Sequence, residues 1–440
     1  GEDVQHEAFV RHGRHYARFG EPAARWALNG PDGPALLARQ RVELDNLFAA
    51  CRRAIARRDA DVAARTYLAV SDVAAVAGPH QAGVELGEAL LEAITLPLEL
   101  EARVRYQAAL MLRRVGLIEP ASIEYERVAE LGACNEDGFL RMLGLRGRAV
   151  VKLFTGAPGD AIAQLQEAIP LAEAFGEPGD LASVLMHMGH CKMVLGDTEG
   201  AKEAYARSIE DYRAHGNRQG EPAVTGNLAA IHHMVGELDR ARPLYEAALA
   251  GHRAVGDRHG LSVVLGNLGV LQMDVGDLDA AERSFREASS LNRSLGNQRD
   301  RSYNLDNWSR LKMMRGEYDA ARRMLDEALQ LCRRIRLRGQ EGVVTGHIGL
   351  LHHRTGDRER AWEELAAGEA ILREVSNLEE LGKVLAARAG LDGRDRADAE
   401  RDLAEAEELA RTIGCGPRSE LARTIAESRA ALGTAVPGNH

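Results

Sequence analysis

Glycine recurs every 40 residues through most of this chain of 440 residues. An alanine stands five residues after each of these glycines, and from Gly196 onward an acidic residue follows each glycine directly. Two positions that keep one period over seven units indicate an internal repeat, in which each unit packs on its neighbours, and not one large core. The periodic glycines are Gly116, Gly156, Gly196, Gly236, Gly276, Gly316 and Gly356, and the alanines are Ala121, Ala161, Ala201, Ala241, Ala281, Ala321 and Ala361.

Each repeat contains two helical patterns. Before Gly276, leucine and valine recur at spacings of three and four from Leu261 onward, which gives one apolar stripe. Gly276 ends that helix, because glycine accepts the left-handed backbone that follows a helix C-terminus. The second helix carries Ala281, Phe285 and Ala288 on one face, with small residues where the paired helix must approach closely. Helix, tight turn, helix and turn at a fixed period predict an all-α solenoid.

Composition and charge narrow the class of function. The formal net charge is −10 and the pI about 5.9, which argues against non-specific binding to nucleic acids or membrane surfaces. We therefore expect no direct nucleic-acid or membrane partner. The chain has no apolar run of about 18 residues, and its start, "GEDVQHE", is unlike a signal peptide. The five cysteines are widely spaced and odd in number, which is typical of reduced thiols. We expect a cytoplasmic protein and, because the first residue is Gly1, a fragment of a longer polypeptide.

The repeat resembles the tetratricopeptide repeat family, in the 40-residue variety found in kinesin light chains, Leu-Gly-Asn spindle adaptors and bacterial Rap-type regulators. The resemblance implies a right-handed superhelix of about eight to nine helix pairs. The family's small residue on the first helix matches Ala229, Gly269, Ser309 and Gly349, and its alanine and aromatic on the second helix match Ala201 with Tyr205, Ala241 with Tyr245 and Ala281 with Phe285.

The regular array is predicted to cover residues 100–375. A divergent helix pair (61–99) precedes it, and a divergent terminal repeat (376–416), a capping helix (417–433) and a disordered tail (434–440) follow it. Residues 1–60 depart from the period and form a helical opening segment. Within that segment "ELDNLFAA" (Glu43–Ala50) resembles the stretch that opens the repeat domain of STAND-type signalling ATPases and related transcription regulators. That resemblance implies an attached ATPase or effector in the parent chain.

Catalytic and metal-binding motifs are not evident. "LGKV" at Leu381 lacks the upstream glycine and the Ser or Thr of a phosphate-binding loop. His187 and His190 lie three residues apart on one helix, but a zinc site needs further ligands from elsewhere in the chain. No nucleophile, base and acid set stands out, and the carboxylates follow solvated helix faces. We expect a non-catalytic chain without metal or cofactor.

One repeat position, called here the ladder position, predicts a binding surface. The tetratricopeptide resemblance places it on the first helix, facing the concave groove. A carboxamide there donates to a peptide carbonyl and accepts from a peptide N–H, which holds a backbone without reading its sequence. The alternative is that these side chains bond the neighbouring helix or are merely tolerated. The ladder position holds Asn227, Asn267 and Asn307, with His187 and His347 at the equivalent places.

Residues about one turn away on the same helices are expected to set selectivity. Arginine or lysine there would bind a carboxylate, and the mixed charges leave the sign of the ligand open. These candidates are Tyr303, Asp306, Arg310, Lys192, His233 and Arg354.

The leading hypothesis is a sensor or interaction module whose concave groove binds a peptide or protein partner, as part of a larger STAND-like signalling ATPase. One alternative is a constitutive assembly scaffold. Another is a Rap-like regulator of a phosphorylated partner, for which Gln40 and Glu43 are the candidate residues. A small ligand in the bore of the superhelix, as in the maltose-regulon activator of the STAND family, is a further alternative.

Overall fold

The computed structural model describes residues 2–30, 32–416 and 419–434. These residues are all-α, as predicted, and contain no β-strand. From α5 to α22 the described helices alternate as first and second members of nine consecutive pairs, which confirms the predicted solenoid arrangement. A 3-10 turn at Arg18–Gly20 separates the first two helices. The helices are α1 Glu2–Ala17, α2 Pro22–Ala27, α3 Gly33–Val42, α4 Leu44–Ala56, α5 Ala60–Ala77, α6 His80–Ala93, α7 Leu98–Arg114, α8 Ile118–Cys134, α9 Gly138–Phe154, α10 Pro158–Phe175, α11 Asp180–Val194, α12 Thr198–Ala214, α13 Gly220–Met234, α14 Leu238–Val255, α15 Arg258–Asp274, α16 Leu278–Leu295, α17 Gln298–Met314, α18 Tyr318–Arg334, α19 Arg338–Arg354, α20 Arg358–Glu374, α21 Leu378–Ala389, α22 Arg396–Thr412 and α23 Glu420–Thr434.

The periodic glycines form the turn inside each pair. All seven adopt a left-handed backbone, with φ between 74° and 90°. After α11, the N–H of Gly196 donates to the carbonyl of Met193 at 3.0 Å, and the N–H of Asp197 donates to the carbonyl of Lys192 at 2.9 Å. This pair of bonds is the Schellman motif, which satisfies carbonyls that the helix end leaves unpaired. Asp197 Oδ1 then accepts the N–H of Gly200 at 2.9 Å and caps α12.

Small residues let the paired helices approach. Ala281 and Phe285 of α16 are fully buried, in a cluster with Met273 and Leu311. A Cβ added at Gly269 of α15 would lie 2.6 Å from Cε1 of Phe285, so only glycine fits there without a shift. The period that the sequence shows in glycine and alanine is therefore a packing period.

The opening segment packs against α5. Leu47 and Tyr67 are fully buried in one cluster with Tyr16 and Phe48. The stretch "ELDNLFAA" forms the start of α4, and Glu43 at its N-cap accepts a hydrogen bond from the Tyr16 hydroxyl at 2.6 Å. Helices α1, α3 and α4 thus pack on α5.

The chain divides into two compact units. Unit 1 contains the described residues of 1–228, 246–261 and 294–297, and unit 2 those of 229–245, 262–293 and 298–440. Helices α13 to α16 contribute residues to both units. The predicted segment boundaries stay a prediction.

At the C-terminal end of unit 2, α21, α22 and α23 share one core that includes Leu381, Leu403 and Leu421. Helix α23 begins at Glu420, three residues after the start predicted for the capping helix. Residues 417–418, and 435–440 of the predicted tail, lie outside the described residues. No helix in the described part of the chain is both long and apolar enough to cross a bilayer.

Candidate functional site

A cavity of about 410 Å³ lies within unit 1. First helices α7, α9 and α11 form its walls, together with the start of α13, part of α5 and the N-terminal segment around α2. Its volume falls in the range of about 300–1,000 Å³ typical of ligand pockets. Side chains of several first helices and of the N-terminal segment meet in it, so it is a candidate ligand site of unit 1.

The cavity wall follows the 40-residue period. Two rows of side chains line it, one residue and four residues before the ladder position. The first row is Tyr106, Arg146 and Met186, and the second is Arg103, Leu143, Ser183 and Ala223. The ladder position itself contributes Gln107, whose buried Oε1 has no hydrogen-bond donor among the described residues. The repeat therefore presents one defined stripe of each first helix to the cavity.

Arg146 is the most deeply buried charged residue of this wall. It is 6% exposed, its Nη1 donates to Asp180 Oδ1 at 2.7 Å, and its guanidinium lies 4.8 Å from the ring centroid of Tyr106. Burial opposes its charge, but Tyr106 and Asp180 outweigh burial and raise the pKa of Arg146. Its Nε has no hydrogen-bond partner within the described residues. A buried guanidinium with a donor to spare is suited to a carboxylate.

The N-terminal segment closes one side of the cavity. Arg25 of α2 makes a two-point ion pair with Asp72 of α5, at 2.7 and 2.9 Å. Gln219 Nε2 donates to the carbonyl of Leu28 at 2.9 Å, 191 residues apart in the chain. Trp26 lines the cavity and is 53% exposed. These bonds hold the segment against the repeat.

Aromatic rings and paired charges complete the lining. The guanidinium of Arg103 lies 4.6 Å from the ring centroid of Phe139, and its Nη2 donates to Glu177 at 2.8 Å. The hydroxyls of Tyr212 and Ser183 are 3.0 Å apart. Because arginines, carboxylates and aromatic rings all line the cavity, it can bind a ligand that carries both polar and apolar groups.

The predicted site residues all lie within the described part of the chain, and none of them lines this cavity. His187 is 7% exposed and packs beside His190, with ring centroids 6.0 Å apart. Burial, and then Arg113, lowers the pKa of His190 to about 4, and a side-chain hydrogen bond with Asn227 partly offsets this shift. The side chains of Asn227 on α13 and His190 on α11 are thus close enough to interact. Lys192 Nζ lies 3.4 Å from Asp197 Oδ2.

Unit 2 contains the other predicted residues. His347 Nδ1 lies 2.6 Å from Oδ1 of the buried Asp306, and Gln340 donates to Oδ2 of the same carboxylate at 3.0 Å. Asp306 is therefore engaged within the fold. His233 Nε2 lies 2.8 Å from Asp274 Oδ2.

The predicted residues of unit 2 that remain differ in solvent exposure. Tyr303 is 38% exposed and Arg354 is exposed, while Asn267 and Asn307 are partly exposed. Arg310 contacts Glu420 of α23. The peptide-binding role of the ladder position stays a prediction.

The residues considered for the Rap-like alternative lie in the opening segment. Glu43 accepts from Tyr16 at 2.6 Å and from Asn46 at 2.8 Å, and these bonds lower its pKa. Gln40 is 4% exposed. The described residues contain no group of three or more His, Cys, Asp and Glu side chains placed to hold a metal ion.

Sequence reasoning missed the cavity residues for two reasons. Recurring asparagine marks the ladder position, but the nearest row of cavity side chains lies one residue earlier. That row holds Tyr106, Arg146 and Met186, which are aromatic, basic and apolar and so show no repeated residue type. A signal was present for Gln107, since it lies three periods before Asn227. The contribution of Arg25 and Trp26 depends on long-range contacts that no local pattern encodes.

Comparison with known proteins supports the repeat assignment. Residues 220–294 and 305–336 match models of the tetratricopeptide repeat. Over these residues the matches confirm the predicted resemblance to the tetratricopeptide repeat. No significant match is found among curated protein sequences.

Solved structures share the fold. A Rap protein complexed with competence and sporulation factor aligns with a TM-score of 0.57 at 15% identity, over 88% of this chain and 99% of that one. The Rap conjugation gene regulator of plasmid pLS20, in complex with the Phr* peptide, aligns with a TM-score of 0.56 at 15% identity, over 84% and 96%. The apo quorum sensor NprR from B. thuringiensis aligns with a TM-score of 0.51 at 14% identity, over 88% and 99%. At these identities the likeness is one of fold.

Proposed function

Because parts of the chain match the tetratricopeptide repeat, we propose that it is a non-catalytic interaction module whose first-helix face binds a peptide or a segment of a protein. The observation that carries this proposal is the cavity of unit 1, with the buried Arg146 in its wall. Two structures of the same fold are complexes, one with competence and sporulation factor and one with the Phr* peptide. Their low identity supports the fold and leaves the ligand of this chain to the chemistry of its own cavity.

The cavity chemistry favours a segment that bears a carboxylate beside an apolar or aromatic side chain. Arg146 offers Nε to the carboxylate, and Tyr106 and Phe139 offer ring faces and edges to the apolar group. A charge-assisted bond of this kind is about twice as strong as a neutral one. Gln107 offers its buried Oε1 to a backbone N–H.

The test is selection of peptides on the immobilised chain, followed by measurement of Kd for a selected peptide. Met186→Trp fills the cavity, and we expect it to weaken binding at least about tenfold, a loss of roughly 1.4 kcal/mol. Ile123→Trp is the matched control, because Ile123 of α8 is 62% exposed and does not line the cavity. Equal Kd values for the wild type and Met186→Trp would contradict the cavity as the binding site.

A small organic acid is the second candidate ligand. A cavity of about 410 Å³ bounded on one side by the N-terminal segment suits a ligand smaller than a long peptide. A thermal-shift screen of carboxylic acids tests it. A stabilising compound whose effect disappears in Met186→Trp would favour the small ligand over the peptide.

We propose further that the module senses its ligand for an attached STAND-like ATPase. Any such coupling requires that the ligand bind the inhibited and active states with different affinity. The ATPase rate of the parent protein, measured with and without the selected peptide, tests this. An unchanged rate at saturating peptide would instead favour the constitutive scaffold.

A further inference from the structure

Helix α23 has two distinct sides. Leu421 and Ile425 are buried against α21 and α22, so this side completes the last helix pair. Glu420 and Arg423, three residues apart, bind charged residues of first helices instead. On a helix, residues three apart lie on one face.

The charged side of α23 reaches helices far away in the sequence. Glu420 contacts Arg310 of α17, 110 residues earlier, and accepts from Lys383 Nζ of α21 at 3.1 Å. Arg423 Nη2 lies 2.9 Å from Oδ1 of Asp274 at the end of α15. All these residues belong to unit 2. Helix α23 therefore ties three first helices together.

The face that receives α23 includes the surface predicted to select a partner. Arg310 was a predicted site residue, and Asp274 also accepts from His233, another of them. Burial opposes ionisation of Glu420, but Arg310 and Lys383 outweigh it and hold its pKa well below the usual range. The carboxylate of Glu420 is therefore ionised at neutral pH. Helix α23 already occupies this face.

We infer that α23 is an internal ligand of the first-helix face of unit 2, and that a partner helix with an acidic and a basic residue three apart binds this face by displacing α23. The partner chemistry is that of α23 itself: a carboxylate for Arg310 and Lys383, and a guanidinium for Asp274. The inference concerns unit 2 and does not require the cavity of unit 1 to bind anything.

The ion pairs of Glu420 and Arg423 that hold α23 on the first helices, called here the tether, can be broken by a competing helix. The side chains of the Arg310–Glu420 pair are 26% and 27% exposed, and those of the Arg423–Asp274 pair 35% and 17%. Partly exposed pairs of this kind are weak individually and are screened by salt. Release of α23 breaks these pairs and also exposes the buried Leu421 and Ile425, so the partner helix must supply an apolar side as well as the two charges.

Hydrogen exchange of the amides of α23, measured by mass spectrometry on the full chain, tests the tether. We expect Arg423→Glu to speed this exchange about threefold to tenfold, because it replaces an attraction with a repulsion. Asp274→Arg should do the same, and the double variant should restore protection. Arg429→Glu is the matched control, because Arg429 is 59% exposed and pairs with Glu407 of α22. Unchanged exchange in both single variants, or an equal effect of Arg429→Glu, would overturn the tether.

Displacement is tested with a synthetic peptide of residues 419–434. Excess peptide should speed exchange of the chain's own α23, and a peptide with Glu420→Lys and Arg423→Glu should not. Equal effects of the two peptides, or none from either, would overturn displacement by charge. Near-native exchange in α18, which is not one of the helices that Glu420 and Arg423 contact, shows that the fold is intact in each variant, so the result does not depend on stability.

Discussion

The carboxylate of Glu420 contacts the guanidinium of Arg310 across 110 residues of chain. This contact places the last described helix on the face that a partner was expected to occupy in unit 2. In unit 1 the corresponding stripe of first helices lines a cavity, bounded by the N-terminal segment. Segments from the two ends of the chain thus contact first-helix surfaces, one in each unit.

Removing the buried arginine should destabilise unit 1. Arg146→Met leaves Asp180 without its ion-pair partner, and breaking a buried pair costs about 3 kcal/mol. We expect the urea midpoint to fall accordingly. Arg141→Met is the control, because Arg141 and Glu167 are 56% and 47% exposed, and such a pair contributes less than about 1 kcal/mol. Equal shifts in the two variants would show that the pair of Arg146 is not buried in solution.

Acid should destabilise the fold through His80. Burial, and then Arg114 and His259, lowers the pKa of this fully buried residue to about 3. The unfolded chain, with a pKa near 6.5, binds the proton first, so this contribution to stability is complete above pH 6.5 and is lost as the pH falls toward 3. At pH 5 the loss is about 2 kcal/mol.

Urea unfolding at pH 7 and pH 5 measures this loss. His80→Leu should lose about 2 kcal/mol less than the wild type between the two pH values. His215→Leu, at a side chain that is 44% exposed, is the control and should keep the wild-type loss. An identical pH dependence in His80→Leu and the wild type would contradict the assignment.

Two glycines of α15 should respond oppositely to the same substitution. Gly269→Ala places a Cβ 2.6 Å from Phe285, and overpacking of this kind costs about 1–3 kcal/mol. Gly266→Ala meets nothing within 4 Å and should stabilise the helix by up to about 1 kcal/mol. Thermal unfolding of the two variants measures the difference. A stable Gly269→Ala variant would mean that the helices of this pair do not approach as closely as described.

Variants at the ladder position distinguish peptide binding in the cavity of unit 1 from peptide binding by the asparagines. Gln107→Ala removes a buried acceptor from the cavity, and we expect a selected peptide to bind about threefold to tenfold more weakly. The triple variant Asn227→Ala, Asn267→Ala, Asn307→Ala tests the asparagine ladder itself. A loss in the triple variant without a loss in Gln107→Ala would favour the ladder and count against the cavity.

The repeat could be predicted from the sequence because its determinants are local. Gly196 and Asp197 sit in one turn, and their conformation depends on a few neighbouring residues. Ala281 and Phe285 are four residues apart, so their shared face follows from helix geometry alone. Because these residues recur every 40 positions, the repeat could be recognised in the sequence.

The binding surfaces were less predictable because they depend on contacts between distant segments. Arg146 and Arg148 look alike in "LRGRAV", yet Arg146 is buried beside Tyr106 and Asp180 while the side chain of Arg148 is 37% exposed. Nothing local to Glu420 indicates that it contacts Arg310. Asparagine repetition marked a real position of the repeat, but repetition does not show which way a side chain points.

Site-specific photo-crosslinking tests the cavity most directly. Benzoylphenylalanine in place of Trp26, which lines the cavity and is 53% exposed, replaces one aromatic side chain with another, and in place of Ile123 it lies on an exposed part of α8. With a selected peptide bound, we expect mass spectrometry to find the peptide linked at position 26 and not at position 123. A peptide linked at 123, or at neither position while it remains bound, would contradict the cavity of unit 1 as the ligand site.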